Sequence, residues 1–153
     1  MSTRFTRQGV PLVESRTLAL VQTARKLSDR IVAQLAEQLL QLGYNEATPT
    51  ALNFLSALEC GDNHAAEIAR SIGVSRQFVA RQVNHYCKLG YLQQTPGRGK
   101  QIIISFTDRG EQLMADARQV LAKIDKKIAL GTVTNGLDEC LQWLQQIDAA
   151  LDE

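Results

Sequence analysis

Six cationic side chains, Arg70, Arg76, Arg81, Lys88, Arg98 and Lys100, fall between Ile68 and Thr107, and that stretch contains no Asp or Glu. All sixteen acidic residues lie outside it, so a formal net charge of +1 conceals a window of +6 and, with eleven bases against sixteen acids, a remainder of −5. A surface facing a polyphosphate requires this bias, because each carboxylate on it would repel the backbone and cancel a contact that releases a counterion. The plainer alternative is a solvated positive face. Other chemistry has little material. His64 and His85 are the only histidines, and no Ser-His-Asp or paired-carboxylate arrangement stands out, so no enzymatic activity is expected. Cys60, Cys87 and Cys140 are odd in number and lack CxxC spacing, which favours reduced, buried thiols over a disulfide framework or a zinc ribbon. Cys60, Asp62 and His64 offer three ligand types within five residues, but no second cluster completes a shell, and neither a metal nor another cofactor is expected. The Gly97-Arg98-Gly99-Lys100 stretch is not a phosphate loop, since Gln94 stands where a Gly is needed and no Ser or Thr follows Lys100.

Apolar periodicity supplies the elements that must carry these cations. From Thr17 to Leu42, Leu20, Ala24, Leu27, Ile31, Leu35, Leu39 and Leu42 recur at steps of three and four, a long amphipathic helix that Gly43 stops. Thr48 as N-cap and Pro49 at the first helical position open a second helix, expected to run through Leu52, Leu55 and Leu58 to Gly61. Asp62 and Asn63 offer caps for a short helix from His64 to Ile72, ended by Gly73, and Ser75 caps the next, from Arg76 to about Leu89. Tyr91 to Thr95 and Gln101 to Phe106 are rich in β-formers and flank a tip from Pro96 to Lys100, which predicts a hairpin. Thr107 caps a long helix with Leu113, Ala117, Val120 or Leu121, Ile124 and Ile128 inside, broken around Gly131 to Gly136. A last helix places Leu137, Leu141, Leu144, Ile147 and Leu151 on one stripe. With 153 residues, 44% apolar and only 5% aromatic, the expectation is a single, mainly helical domain and not a β-sandwich. Apolar runs of about four residues cannot span a bilayer, and the N-terminus lacks the apolar core of a signal peptide, so a cytoplasmic location without membrane contact is expected.

The two short helices meet specific demands. A helix-turn-helix needs a small residue where the helices cross, a Gly in the turn and a branched apolar residue pointing back from the second helix. Ala69, Gly73 and Val79 supply these, with Ile68, Ile72, Val74 and Val83 completing a small core. An ordinary helical hairpin would satisfy the same spacing. The continuation is more specific. Glu67-Ile68-Ala69-Arg70-Ser71-Ile72-Gly73-Val74-Ser75, then Val79, Val83 and Lys88-Leu89-Gly90-Tyr91-Leu92, then Ile103-Ile104-Ser105-Phe106-Thr107-Asp108-Arg109-Gly110 resembles the MarR family of winged-helix transcription regulators. The resemblance covers Thr48 to about Leu113 by motif and the flanking helices by layout. It implies a mainly α fold with a small β-hairpin wing: one domain over 1–153, with a winged helix-turn-helix at 48–110 and dimerisation helices at 15–43 and 111–151. It further implies a homodimer that binds double-stranded DNA at a palindromic operator, as a repressor responsive to a small amphipathic ligand. Members commonly carry an Asp-x-Arg-like pair at the wing; here Arg98 occupies the acidic position and Lys100 the basic one. Tyr86 and Gln82 stand where the family has aliphatics, and His64 where it often has Ser or Thr.

A recognition helix starting at Arg76 would bring Arg76, Gln77, Ala80 and Arg81 to base edges: Arg to guanine, Gln to adenine, Ala to a thymine methyl. Ser75 would sit by phosphate with the free amides of the first turn, and Asn84 and Lys88 would meet the DNA backbone. Arg98 and Lys100 would serve the wing in a narrow minor groove. Each of these is equally compatible with a solvated surface, and the competing functional reading is a protein-interaction or accessory subunit of winged-helix shape that does not bind DNA. Leu18, Val21 and Phe54 are candidates to line a ligand crevice, with core packing as the alternative. Some family members sense peroxide through a cysteine in the first helix; this first helix has none, which favours a small ligand over thiol oxidation as the inducer.

Overall fold

In the computed structural model of the chain, which describes residues 4–132 and 136–152, four hydroxyl side chains start four helices. Ser15 accepts from the Leu18 amide, Thr48 from Ala51, Ser75 from Phe78 and Thr107 from Gly110, each satisfying an otherwise orphaned N–H and contributing about 1 kcal/mol. The chain order is β1 (Arg4–Phe5), β2 (Pro11–Leu12), α1 (Arg16–Gln41), α2 (Pro49–Leu55), α3 (Ala65–Ile72), α4 (Arg76–Lys88), β3 (Leu92–Pro96), β4 (Ile102–Phe106), α5 (Asp108–Gly131) and α6 (Gly136–Ala149). The β1–β2 hairpin was not expected: it is only two residue pairs long and lacks the alternating pattern that signals a strand. The expected break between the last two helices falls between Gly131 and Gly136; positions 133–135 of it lie outside the described residues.

Two boundaries differ from expectation for one reason. The second helix stops at Leu55 and not near Gly61, and the chain tightens through bonds from the Ala57 and Leu58 amides to the carbonyls three residues back. Asn63 then clamps the turn. Its Oδ1 accepts from the Glu59 amide at 2.8 Å, and its Nδ2 donates to the Glu59 and Gly61 carbonyls at 2.9 Å each. Its main chain exchanges two 2.9 Å bonds with Ile104 of β4. Neither Asp62 nor Asn63 caps the third helix; the N-cap is His64, without a side-chain bond, because the Asn63 side chain is spent on the turn.

The helix-turn-helix is as expected. Gly73 is left-handed at φ +67°, Ala69, Val79, Ile68 and Val83 are buried, and the β3–β4 hairpin pairs antiparallel from Leu92 opposite Phe106 to Pro96 opposite Ile102. Pro96 therefore ends a strand and is not part of the tip. The core joins the C-terminal half of α1 (Leu35, Leu39) to α2, the root of the hairpin and the expected inner face of α5 (Leu113, Ala117, Val120, Ile124). Phe54 lies in that core, its ring stacked at 5.5 Å on Tyr86, whereas Leu18 and Val21 are exposed, so these three do not line a common crevice within one chain. Burial of the thiols is also corrected. Cys60 and Cys140 are exposed and Cys87 is half-buried, since Cys60 sits beyond the shortened α2 and Cys140 on α6, none of whose side chains is buried in a single chain.

Candidate nucleic-acid interface

Val79, Val83 and Tyr86 are buried beneath α4, and at 100° per residue this turns Gln77, Ala80, Arg81, Asn84 and Lys88 outward, while Arg76 lies on the side of the buried stripe and is uncovered because it opens the helix. All six are exposed, as is Ser75 at the cap and as are Arg98 and Lys100 at the tip of the hairpin. Among the described residues no carboxylate lies within ion-pairing distance of these cations; the ion pair the structure forms is Arg109 with Glu46, at 3.8 Å. Their charge is unpaired among the described residues.

The hairpin is fastened to α4. Gln94 Nε2, on β3, donates to Asn84 Oδ1 at 3.0 Å and lies 3.9 Å from Cys87 Sγ. Asn84 thus divides its amide: its oxygen holds the hairpin, and its NH2 is left to donate. Burial pushes the Cys87 thiol up, with the Gln94 bond acting the other way, so this cysteine is not tuned toward a reactive thiolate.

A second set of contacts, centred on residues that sequence reading did not single out for this role, fixes where α4 hands over to the hairpin. The Thr107 hydroxyl donates to the Gly90 carbonyl at 2.5 Å and accepts from the Gly110 amide, while the Thr107 amide donates to the Tyr91 carbonyl at 3.1 Å. Arg109 donates to the Leu89 carbonyl and to the Tyr91 hydroxyl, at 3.1 and 3.2 Å, with its guanidinium 4.6 Å above the Tyr91 ring. Tyr91 in turn donates to Glu46 at 2.9 Å. Burial, then the bond to Glu46, pushes the Tyr91 hydroxyl above its ordinary pKa. Tyr44, whose hydroxyl donates to Asp116 at 2.5 Å, is pushed up to about 12, first by that bond and then by burial. The Thr-Asp-Arg-Gly run was visible as a motif. The partners of Arg109 and Tyr91 lie 18 and 45 residues away in sequence, so their pairing leaves no local signal.

Among the described residues no group of three His, Cys, Asp or Glu side chains is placed to hold a metal ion, and no helix is long and apolar enough to cross a membrane. No family model matches the sequence, and no curated protein matches it. Solved structures do resemble it. A MarR-family transcriptional regulator from Rhodococcus sp. RHA1 superposes with a TM-score of 0.68 at 13% identity, over 88% of this chain and 96% of that one. The transcriptional regulator BldR from Sulfolobus solfataricus gives 0.67 at 16% identity, over 88% and 95%. The apo form of wild-type MarR from E. coli gives 0.67 at 14% identity, over 89% and 98%. At these identities the likeness is one of fold, and it is the expected one: mainly helical, with a winged helix-turn-helix between long terminal helices.

Proposed function

We propose that this protein is a DNA-binding transcription regulator that acts as a homodimer. The observation that carries this reading is the basic face of α4 and the hairpin tip, free of carboxylates in sequence and unpaired among the described residues. In this reading Arg76, Gln77, Ala80 and Arg81 meet base edges in the major groove, Ser75, Asn84 and Lys88 meet the backbone, and Arg98 and Lys100 enter the adjacent minor groove. Residues 48–110 form the reading module, and 15–43 with 111–151 form the framework that pairs across a two-fold axis. The exposure of Leu18, Val21 and Leu27 on α1 and of Leu141, Trp143, Leu144 and Ile147 on α6 supports that pairing, because apolar stripes of this extent seldom stay uncovered. A symmetric pair would present two recognition helices to a palindromic site with half-sites about 34 Å apart. A small amphipathic ligand that biases this separation would convert binding energy into a change in operator affinity, which is the behaviour of a ligand-released repressor. Such a protein works in the cytoplasm, where its DNA lies.

The test is titration of the full-length chain against duplex from the region upstream of its own gene. Binding should weaken steeply with salt, with a log–log slope of about −0.9 per phosphate neutralised. Arg76→Ala and Arg81→Ala should each cost about 1–3 kcal/mol at a cognate site, while Lys88→Ala should weaken all sequences alike. Absent or salt-independent binding to every duplex tried would sink the proposal.

A further inference from the structure

Side chains alternate along the hairpin, and Leu92, Ile104 and Phe106 turn one face of it into the core. Gln94 shares that face and reaches Asn84 on α4. One step further out, beyond the end of the core, the same face carries Pro96 and Ile102, directly opposite each other across the ladder. Ile104 is 3% exposed and Ile102, two residues on, is 56% exposed. With Gln94, Thr95, Gly99, Lys100 and Gln101 these two line a shallow groove of about 310 Å³ at the tip end of the hairpin.

DNA geometry says what must pass there. If α4 occupies the major groove and the tip the adjacent minor groove, the sugar–phosphate strand that divides the two grooves runs between α4 and this face. Such a strand presents phosphates, which need cations and donors, and the carbon faces of deoxyribose, which need apolar surface. Lys100 and the free NH2 of Asn84 answer the first need, and Pro96 with Ile102 the second. Depth decides between two apolar modes. The tip carries Arg98 beyond the Pro96–Ile102 pair by about two residues, or roughly 7 Å, which is close to the minor-groove depth of about 7.5 Å. Because the Arg98 side chain itself spans most of that depth, Pro96 and Ile102 are held back at the mouth of the groove, beside the sugars and phosphates of its rim and too far out to wedge between bases. In the pairing proposed above α6 does not bring a second copy to them, because the hairpin adjoins the start of α5 and α6 its far end, some 36 Å away along a 24-residue helix.

We propose that Pro96 and Ile102 form a deoxyribose-packing surface, an apolar wall that holds the strand between the two grooves; this rests on the DNA-binding reading above. It adds affinity without base preference and without counterion release. Covering roughly 40 Å² of Ile102 corresponds to about a fivefold change in Kd per half-site, or about 25-fold for a dimer on two half-sites. The experiment titrates wild type, Ile102→Ser, Ile102→Leu and Lys100→Ala, as full-length proteins, against the upstream duplex and an unrelated duplex at about 50 and 200 mM salt. Ile102→Ser should lose about 25-fold on both duplexes and at both salts, with unchanged salt slope, DNA bend and melting temperature. Ile102→Leu should stay within about threefold of wild type, and Lys100→Ala should flatten the slope by about two units, one for each protomer. A silent Ile102→Ser, an equal loss in Ile102→Leu, or a loss accompanied by a straightened duplex would each overturn the inference while DNA binding stands. Wild type that binds no duplex would remove the DNA-binding reading itself, and this inference with it.

Discussion

Replacing Gly110 by Ala is the most demanding small change the fold offers. In an ordinary helix the exchange stabilises by about 0.5–1 kcal/mol. Here the added Cβ would collide with the Tyr91 carbonyl oxygen and lie 2.9 Å from Phe106 Cδ1, so main chain and not a flexible side-chain end must move. The Tyr91 oxygen also accepts the Thr107 amide, whose residue caps α5. Strain of about 1–3 kcal/mol and a weakened bond of about 0.5–1.5 kcal/mol outweigh the helical gain and leave a net loss near 2–3 kcal/mol. For a chain of this size that lowers the melting temperature by about 4–12 °C. Far-UV circular dichroism at fixed protein concentration reads it, since an assembling chain melts at a concentration-dependent temperature. Gly131→Ala is the control: its Cβ would meet nothing within 4 Å, and it should be neutral or slightly stabilising. Because the Tyr91 carbonyl sits between α4 and the hairpin, the Ala variant should also bind DNA more weakly where it remains folded. A Gly110→Ala protein that melts within about 2 °C of wild type would refute the close approach on which this estimate rests.

Glutamate at both Leu20 and Leu144 should yield monomers by sedimentation at micromolar concentration and abolish operator binding; a wild-type monomer would contradict the assembly. Tyr44, raised to about 12, favours its protonated phenol in the folded state, so its contribution is intact below about pH 10 and is lost as pH rises from 10 to 12. Urea midpoints should therefore fall more steeply through that interval for wild type than for Tyr44→Phe, and parallel curves would show that the Asp116 bond contributes nothing. Peroxide should leave the DNA complex of wild type intact, as it should that of the variant with Ser at Cys60, Cys87 and Cys140; release confined to wild type would establish a redox switch in place of a ligand.

Helix positions and the basic face could be read from sequence because caps, glycine stops and apolar steps are local. As caps, Ser15, Thr48, Ser75 and Thr107 each accept from an amide three residues on. What failed was not local. Asn63 looked like a cap, but its side chain turns back to Glu59 and Gly61, and the partner that holds its main chain there, Ile104 of β4, lies forty-one residues on. Gln94 carried no signal either, since a polar residue on a half-exposed strand is unremarked until Asn84 is brought beside it. Burial of the cysteines was misjudged because residue type predicts burial only where a helix has something to lie against, and α6 has none of its side chains buried within one chain.

The placement of the acids supports a functional origin for the basic face over an accident of composition. Glu67 lies in the first turn of α3, and Asp108 and Glu111 in the first turn of α5, where the helix dipole favours negative charge. The acid-free window is thus bounded at each end by a carboxylate that stabilises its own helix. Between them α4 begins with Arg76 and has no acid in its first turn, an arrangement that costs about 0.3–1 kcal/mol relative to a carboxylate there. First-turn composition alone is not decisive, because α1 also opens on an arginine, Arg16. The two helices differ along the rest of their lengths. In α1, Asp29 and Glu37 intersperse the bases, whereas α4 continues with Arg81 and Lys88 and no acid, on the face that the core leaves exposed. Lys88, in the last turn, suits the dipole of α4, but folding gains nothing from Arg76 and Arg81, which have no carboxylate beside them. A phosphate at the N-terminus of α4 would be held by the free amides, the dipole and Arg76 together, and would offset the cost at the moment of binding.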